Sequence, residues 1–292
     1  ELGIMRVLVT GGRGFLGRRI MPLLGEYEVM SLVRTIGPEQ PGIRTVVGDI
    51  TRDGRWQKEI ENFAPECCIH LAWDGLPDYS LSCCRANLDG NVALLETLVR
   101  AEVRCVVVAG SCWEYGSIVG AVREEAAPVD CGLFAATKHA VRKMFEGVSL
   151  DAGFDCRWAR IFFAYGPGQR SASLIPYLRA SFAHGTMPIL REPNVVQDFV
   201  HVDDVARGLL MLVQCHASSG IFNLGSGQPI SVSEIANRVA QYYGQSLPFE
   251  SLESGTGLWA DISRTSSVTG WRPEIGIADG IGMTLRELDE KA

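Results

Sequence analysis

The chain has 292 residues, 47% hydrophobic and 21% charged, with a formal net charge of −7, which allows one or two domains and a sizeable core. The acidic balance argues against a general nucleic-acid binder, which needs a basic face, and no run approaches the roughly 20 apolar residues of a membrane span. The cysteine count is odd at nine, with adjacent pairs at Cys67-Cys68 and Cys83-Cys84 and no Cys-x-x-Cys. That pattern reads as reduced thiols in a cytoplasmic protein, with neither a disulfide framework nor a metal site.

Glu1 to Ile4 precede Met5 and read as a cloning remnant. The chain then enters its first strand too soon for a signal peptide. An apolar run at 7–9 reads as a buried strand. It breaks at Thr10 into three spaced glycines, Gly11, Gly14 and Gly17, after which Ile20, Met21, Leu23 and Leu24 follow at helical spacing. Strand, glycine turn and helix in that order form a phosphate cradle: the first glycine permits the turn, the second lets backbone approach a pyrophosphate, and the third lets the helix pack close. The helix N-terminus adds unpaired N–H groups and partial positive charge. An ordinary strand–turn–helix is the bland alternative, and the context on both sides favours the nucleotide.

Further strands are predicted at 29–33, 45–47, 67–71, 105–109 and 156–163, with helices at 56–63, 87–101 and 135–150. Cys105 and Cys156 sit in or beside strand-like runs as small apolar fillers. Alternation with nearly all-apolar strands means a parallel sheet covered on both faces. After 168 the pattern changes to a helix at 174–184, a strand at 195–200, a helix at 205–213 and a strand at 221–224. A helix at 231–243 follows, opened by Ser231 with Glu234 three residues on as a capping box. The tail carries Trp259, Asp261, Trp271 and Pro273 before a last helix near 280–288. There is no repeat, low-complexity segment or long linker. The expected architecture is α/β: a Rossmann-like doubly wound parallel sheet in 5–166, joined by 195–226, with a smaller interleaved α/β substrate domain from 167–292.

Taken together, these segments resemble the extended short-chain dehydrogenases/reductases that act on nucleotide sugars, over nearly the whole chain. Thr10-Gly-Gly-x-Gly-Phe15-Leu16-Gly17 matches the cofactor fingerprint. Gly48-Asp49-Ile50 resembles the adenine contact, His70-Leu71-Ala72 the strand end under the cofactor, and Asn87 the asparagine opening the next helix. Gly110-Ser111-Cys112-Trp113-Glu114-Tyr115-Gly116 matches the active-site serine strand, and Phe134-x-x-x-Lys138 falls on the family's Tyr-x-x-x-Lys. Arg160 to Gly168, Asp198-Phe-Val-His201-Val-Asp-Asp204 and Phe222-Asn223-Leu-Gly-Ser-Gly227 follow, the last two matching strands that line the sugar-nucleotide site.

The resemblance implies a hydride exchanged between a nicotinamide and a sugar carbon, commonly C4. The tyrosine moves the proton, the lysine holds the nicotinamide ribose and lowers the tyrosine pKa, and the serine orients the sugar oxygen. Ser111 and Lys138 match two of those roles. It implies cofactor contacts at Gly11, Gly14, Phe15, Leu16, Gly17, Arg34, Asp49, Ile50, Leu71, Ala72, Trp73, Asn87, Lys138 and Phe162. Cys112, Trp113, Phe163, Gln197 and Arg264 are the matching substrate positions. It also implies a homodimer through the helices at 87–101 and 135–150. Trp113 reads equally well as a core ring.

Four departures qualify these expectations. Phe134 has no proton to give. Either Ser111, directly or through water, takes over the relay, or Cys131 does, or the protein binds without turnover, or the phenylalanine is an engineered replacement. Dehydratases of the family carry Asp-Glu directly after the serine. Here Cys112 and Trp113 stand there, and Glu114 is expected on the other side of the strand, which disfavours dehydration. Val33-Arg34 ends the second strand without the acid that bonds a ribose 2′-OH. Arg34 suits a 2′-phosphate, so NADP is preferred, with NAD open. Gln197 replaces an arginine that pairs with the substrate diphosphate, leaving Arg170, Arg179, Arg191 or Arg264 for that task, and Phe163 replaces an asparagine. The expected function is an NAD(P)-dependent nucleotide-sugar reductase or epimerase, most concretely a 4-keto-6-deoxy-sugar nucleotide reductase. The alternative is a non-catalytic NAD(P)-binding sensor or partner protein.

Overall fold

Val7, Leu8 and Val9 are all fully buried, although neighbouring side chains on a strand point to opposite faces. Only a sheet covered on both sides accommodates such a run, and the computed structural model builds one. It describes residues 4–290 apart from 39, 53, 217–218, 246–248 and 250–254.

In chain order the elements are β1 (Arg6–Thr10), α1 (Gly17–Ile20), β2 (Glu28–Val33), β3 (Ile43–Val47), α2 (Trp56–Phe63), β4 (Cys67–His70), α3 (Leu81–Arg100) and β5 (Cys105–Ser111). A 3-10 turn (Cys112–Tyr115) leads to β6 (Gly120–Val122), α4 (Leu133–Ala152), β7 (Asp155–Ile161), β8 (Phe163–Tyr165) and α5 (Leu174–Ala183). Then come β9 (Val196–His201), α6 (Val202–Gln214), β10 (Gly220–Leu224), β11 (Pro229–Ser231), α7 (Val232–Tyr242), β12 (Gly257–Ala260), α8 (Ser263–Thr269) and α9 (Ile277–Glu290).

Seven strands form the main sheet in the order β10-β7-β5-β4-β1-β2-β3, every pair parallel. This is the Rossmann-like doubly wound sheet expected from the alternation. Val7, Val9 and Val107 pack on one face against Leu209 of α6, and Leu8, Met30 and Val106 on the other against Leu94 and Phe145. A second sheet, β11-β9-β12-β6, draws short strands from distant parts of the chain, and β8 pairs with β9 beside it. A third apolar cluster joins Leu178, Phe199, Ile235 and Leu285 beneath it. No helix among the described residues is long and apolar enough to cross a membrane.

Several boundaries move for local reasons. α3 begins at Leu81, six residues before the expected start, because the Ser80 side chain caps it by accepting from the Cys83 N–H. Asn87 therefore lies inside the helix rather than opening it. The strand expected at 156–163 stops at Ile161, and the chain re-enters strand at Phe163 in a different pairing. The capping hydroxyl at Ser231 accepts from the Glu234 N–H as expected, whereas β6, β11, β12 and α8 carry no periodic signal and were not anticipated.

Candidate functional site

The cradle is set by Gly11, whose φ of +74° is a conformation glycine adopts without penalty. The Gly14 N–H then donates to the Gly11 carbonyl at 2.9 Å. At Gly17 a side chain would collide with the Gly11 carbonyl, so α1 packs directly on the turn. A groove of about 260 Å³ opens over this turn, lined by Gly11, Gly14, Asp49, Ile50, Leu71 and Ala72, with Arg13, Arg34, Trp73 and Asp74 also on its wall. Phe15, Leu16 and Gly17, expected as cofactor contacts, are not among its lining residues, and Phe15 lies close to Gly168.

The floor is fixed by a buried hydrogen-bond chain. Ala72 N–H donates to Thr10 Oγ1 at 3.2 Å, and Thr10 Oγ1 lies 2.6 Å from His70 Nδ1. His70 Nε2 meets Asn91 Oδ1 at 2.8 Å. An amide oxygen only accepts, so Nε2 carries the proton and Nδ1 accepts from Thr10. Burial pushes the His70 pKa down to about 4, so the ring stays neutral. Asn91 donates to the Asn87 carbonyl. Asn87 in turn accepts from Asp74 N–H at 2.7 Å and donates to the Asp74 carbonyl at 3.0 Å. Asn87 thus spends its amide on the loop that carries Trp73, not on the groove.

At the outer end, burial raises the Asp49 pKa, but the Thr51 hydrogen bonds and the charges of Arg34 and Arg52 outweigh it and hold the carboxyl below its usual value. Arg34 is ion-paired to Asp74. Arg13 donates to the Thr35 carbonyl at 2.6 Å, so two guanidinium groups stand where the second strand ends. Arg13 was not singled out from the sequence, being an unremarkable residue inside the glycine motif.

At the inner end, Lys138 donates to the Ala109 carbonyl at 2.9 Å and lies 4.0 Å from the centroid of the Trp73 ring. Burial pushes its pKa down to about 8, against the opposing pull of Glu114. The indole N–H of Trp73 is buried without a partner among the described residues, a donor left for a bound molecule. Ser111 caps the 3-10 turn. Its hydroxyl accepts from Trp113 N–H at 3.2 Å and its own N–H donates to Glu114 at 2.8 Å, leaving the hydroxyl proton free to donate.

Glu114 departs from expectation. The serine strand ends at Ser111, so the alternation assumed for the next residues does not apply. Glu114 turns inward and is fully buried. It accepts from Trp158 Nε1 at 2.8 Å and Arg160 Nε at 3.2 Å, with Arg142 3.7 Å away. Cys131 donates to the Glu114 carbonyl at 3.3 Å and is not on the substrate side.

A second cleft of about 850 Å³ adjoins this end, lined by Tyr79, Cys112, Trp113, Phe134, Phe163 and Gln197, with Leu258 of β12 opposite. Trp113 is 43% exposed and faces the cleft rather than the core. Phe134 meets Trp73, Tyr79 and Trp113 edge-on, with ring centroids 5.3, 5.3 and 5.7 Å away. Asp130 and Glu192 are the charged residues on the described wall, which carries no lysine, arginine or histidine. Arg191 lies just outside, in a depression that shares Glu192, Val195 and Gln197 with the cleft. Two expected site residues, Arg264 for the substrate and Phe162 for the cofactor, are elsewhere. Arg264 pairs with Glu125 and covers the Phe222 ring, and Phe162 is buried in the core beside Tyr115. Arg179 is committed to Asp289 at 2.8 Å. Tyr79, on the irregular stretch before α3, had no motif to mark it.

Comparison with known proteins places this geometry. The profile of the NAD dependent epimerase/dehydratase family matches residues 7–225. The dTDP-L-rhamnose 4-epimerase of Burkholderia thailandensis is 26% identical over 98% of this chain and 96% of its own length. A UDP-glucuronate 4-epimerase of Thermodesulfobacterium geofontis is 27% identical over 81% of this chain and 76% of its own length. Among solved structures, MoeE5 in complex with UDP-glucuronic acid and NAD superposes with a TM-score of 0.86 at 26% identity, covering 98% of this chain and all of that one.

Proposed function

The chain belongs to the NAD-dependent epimerase/dehydratase family, and from that premise we propose that it is an NAD(P)-dependent reductase or epimerase of a nucleotide sugar. Its most concrete form is reduction of a 4-keto-6-deoxy-sugar nucleotide with NADP(H). The observation that carries the reading is the contact between the walls of the two hollows: Trp73 of the groove with the glycine cradle meets Phe134 of the cleft edge-on, and Lys138 lies over the Trp73 ring.

A dinucleotide fits the groove. The Gly11–Gly17 turn leaves backbone open to a pyrophosphate, and the free indole N–H of Trp73 awaits an acceptor. When bound, the nicotinamide supplies or takes the hydride. Gly14 and the start of α1 would hold the phosphates, Asp49 and Ile50 the adenosine end, and the Lys138 ammonium, which donates to the Ala109 carbonyl, would be the group to bind a ribose hydroxyl. Arg13 and Arg34 favour a 2′-phosphate. The Ser111 hydroxyl proton is free to orient a sugar oxygen.

The cleft wall supports a deoxy sugar. A uronic acid would bring a carboxylate beside Asp130 and Glu192 with no cation on the described wall, an uncompensated charge in a partly apolar site. A C6 methyl group meets Trp113, Phe134 and Phe163 without that cost. Arg191, in the adjoining depression, would supply the charge for a diphosphate that Gln197 cannot.

The test is direct. Purified protein is incubated with NADPH or NADH and 4-keto-6-deoxy-sugar nucleotides of dTDP, UDP, CDP and GDP, and nicotinamide oxidation is followed. Turnover with at least one of them is expected. Cofactor binding by fluorescence with no turnover of any sugar nucleotide favours the second reading, a non-catalytic NAD(P)-binding protein, which the missing hydroxyl at Phe134 supports.

A further inference from the structure

We propose that Tyr79 is the proton donor of this site, replacing from another element the hydroxyl that Phe134 lacks. The inference rests on the reductase reading above and assigns the group on which it depends. Of the seven tyrosines, six are committed elsewhere. Tyr115 is fully buried and donates to Asn223 Oδ1 at 2.7 Å. Tyr165 is buried in the third apolar cluster, Tyr177 bonds the backbone at Ile189, and Tyr243 bonds Asp289. Tyr27 bonds Gln214 and Tyr242 lies against Tyr243 on the surface. Tyr79 alone lines the cleft. Its ring packs against both Trp113 and Phe134, with centroids 5.4 and 5.3 Å away, so packing holds it beside the ring that carries the hydroxyl in relatives of the Tyr-x-x-x-Lys pattern.

The competing donors are poorly placed. Cys131 is spent on the Glu114 carbonyl, outside the cleft wall. Cys112 is a buried thiol, and Ser111, although its hydroxyl proton is free, is not among the described residues that line the cleft. The Tyr79 hydroxyl has no hydrogen-bond partner among the described residues, and the residue is 38% exposed. It therefore has a proton to give and water from which to recover it. As the carbonyl carbon takes the hydride of the reduced nicotinamide, the C=O π pair moves to oxygen. That oxygen forms a bond to the Tyr79 proton as the phenol O–H breaks. The phenolate left behind is reprotonated by solvent, and the product is the alcohol.

The test uses the protein, the Tyr79→Phe and Phe134→Tyr variants and their double, each assayed on the 4-keto-6-deoxy-sugar nucleotides of dTDP, UDP, CDP and GDP. Tyr79→Phe keeps both ring contacts. It is expected to lower kcat about 10²–10⁴-fold with cofactor affinity unchanged and to remove the wild-type solvent isotope effect, and the double variant regains turnover. Calorimetric binding of the ketosugar nucleotide to the complex with oxidised cofactor, where no hydride can move, is expected to weaken about 2–10-fold on loss of one hydrogen bond. Wild-type kcat retained in Tyr79→Phe overturns the proposal and leaves the reductase reading standing. So does turnover that appears only with Phe134→Tyr. Absence of turnover in all four proteins overturns both.

Discussion

Lys138→Met tests the electrostatics of the inner end before any substrate is identified. The ammonium is buried against Ala109 and Trp73, and its pKa falls from the ordinary 10.5 to about 8. A tenfold change in proton affinity is worth about 1.4 kcal/mol, so the charged form carries about 3 kcal/mol of destabilisation. Methionine keeps an unbranched stem and drops the charge. It also loses the hydrogen bond to Ala109, worth about 1 kcal/mol, which leaves a net gain of about 2 kcal/mol near neutral pH. The sign follows from linkage. Below about 8 both folded and unfolded chains hold the proton, and the full cost applies. Between about 8 and 10.5 the unfolded chain binds it and the folded chain sheds it, so wild-type stability climbs with pH across that window. Urea unfolding of both proteins without cofactor, at pH 7 and in steps to pH 10, reads the difference. The variant is expected to be the more stable at pH 7 and to converge on wild type as pH rises. A variant less stable at pH 7, or a gap that does not narrow with pH, refutes the assignment of Lys138 as a strained buried cation.

Three further outcomes follow from the same geometry. Glu114→Ala leaves Arg160 buried without its carboxylate and is expected to cost about 3–5 kcal/mol in urea unfolding, with Glu114→Gln costing less because the Trp158 hydrogen bond survives. Gly17→Ala drives a methyl into the Gly11 carbonyl. It should cost about 1–3 kcal/mol by overpacking and abolish cofactor binding by fluorescence titration. Arg34→Ala is expected to shift the ratio of NADPH to NADH dissociation constants about tenfold against NADPH. An unchanged ratio would remove Arg34 from the cofactor site.

The groove was legible because its parts are contiguous: strand, glycines and helix occupy a dozen residues and each obeys a local rule. The cleft was legible only through the family resemblance, which named Cys112, Trp113, Phe134, Phe163 and Gln197; Tyr79 and Leu258, which no motif marks, join them only in the folded chain. Glu114 shows how one local error spreads. Placing it on a strand puts its side chain on the far side of that strand, whereas the tight turn capped by Ser111 buries it to hold two arginines. Arg264 looked available for a phosphate because a lone arginine in a sequence shows no partner. In space Glu125 and Phe222 already occupy it.

The order of the main sheet sets how the protein can be cut. β10, from residues 220–224, forms one outer edge and lies against β7, from residues 155–161. A fragment ending near residue 166 would keep the whole glycine cradle yet lose that covering strand. It would present the apolar flank of β7 as an open ladder, the form of edge that recruits other chains. Any minimal nucleotide-binding version of this protein therefore has to carry residues from both halves of the chain.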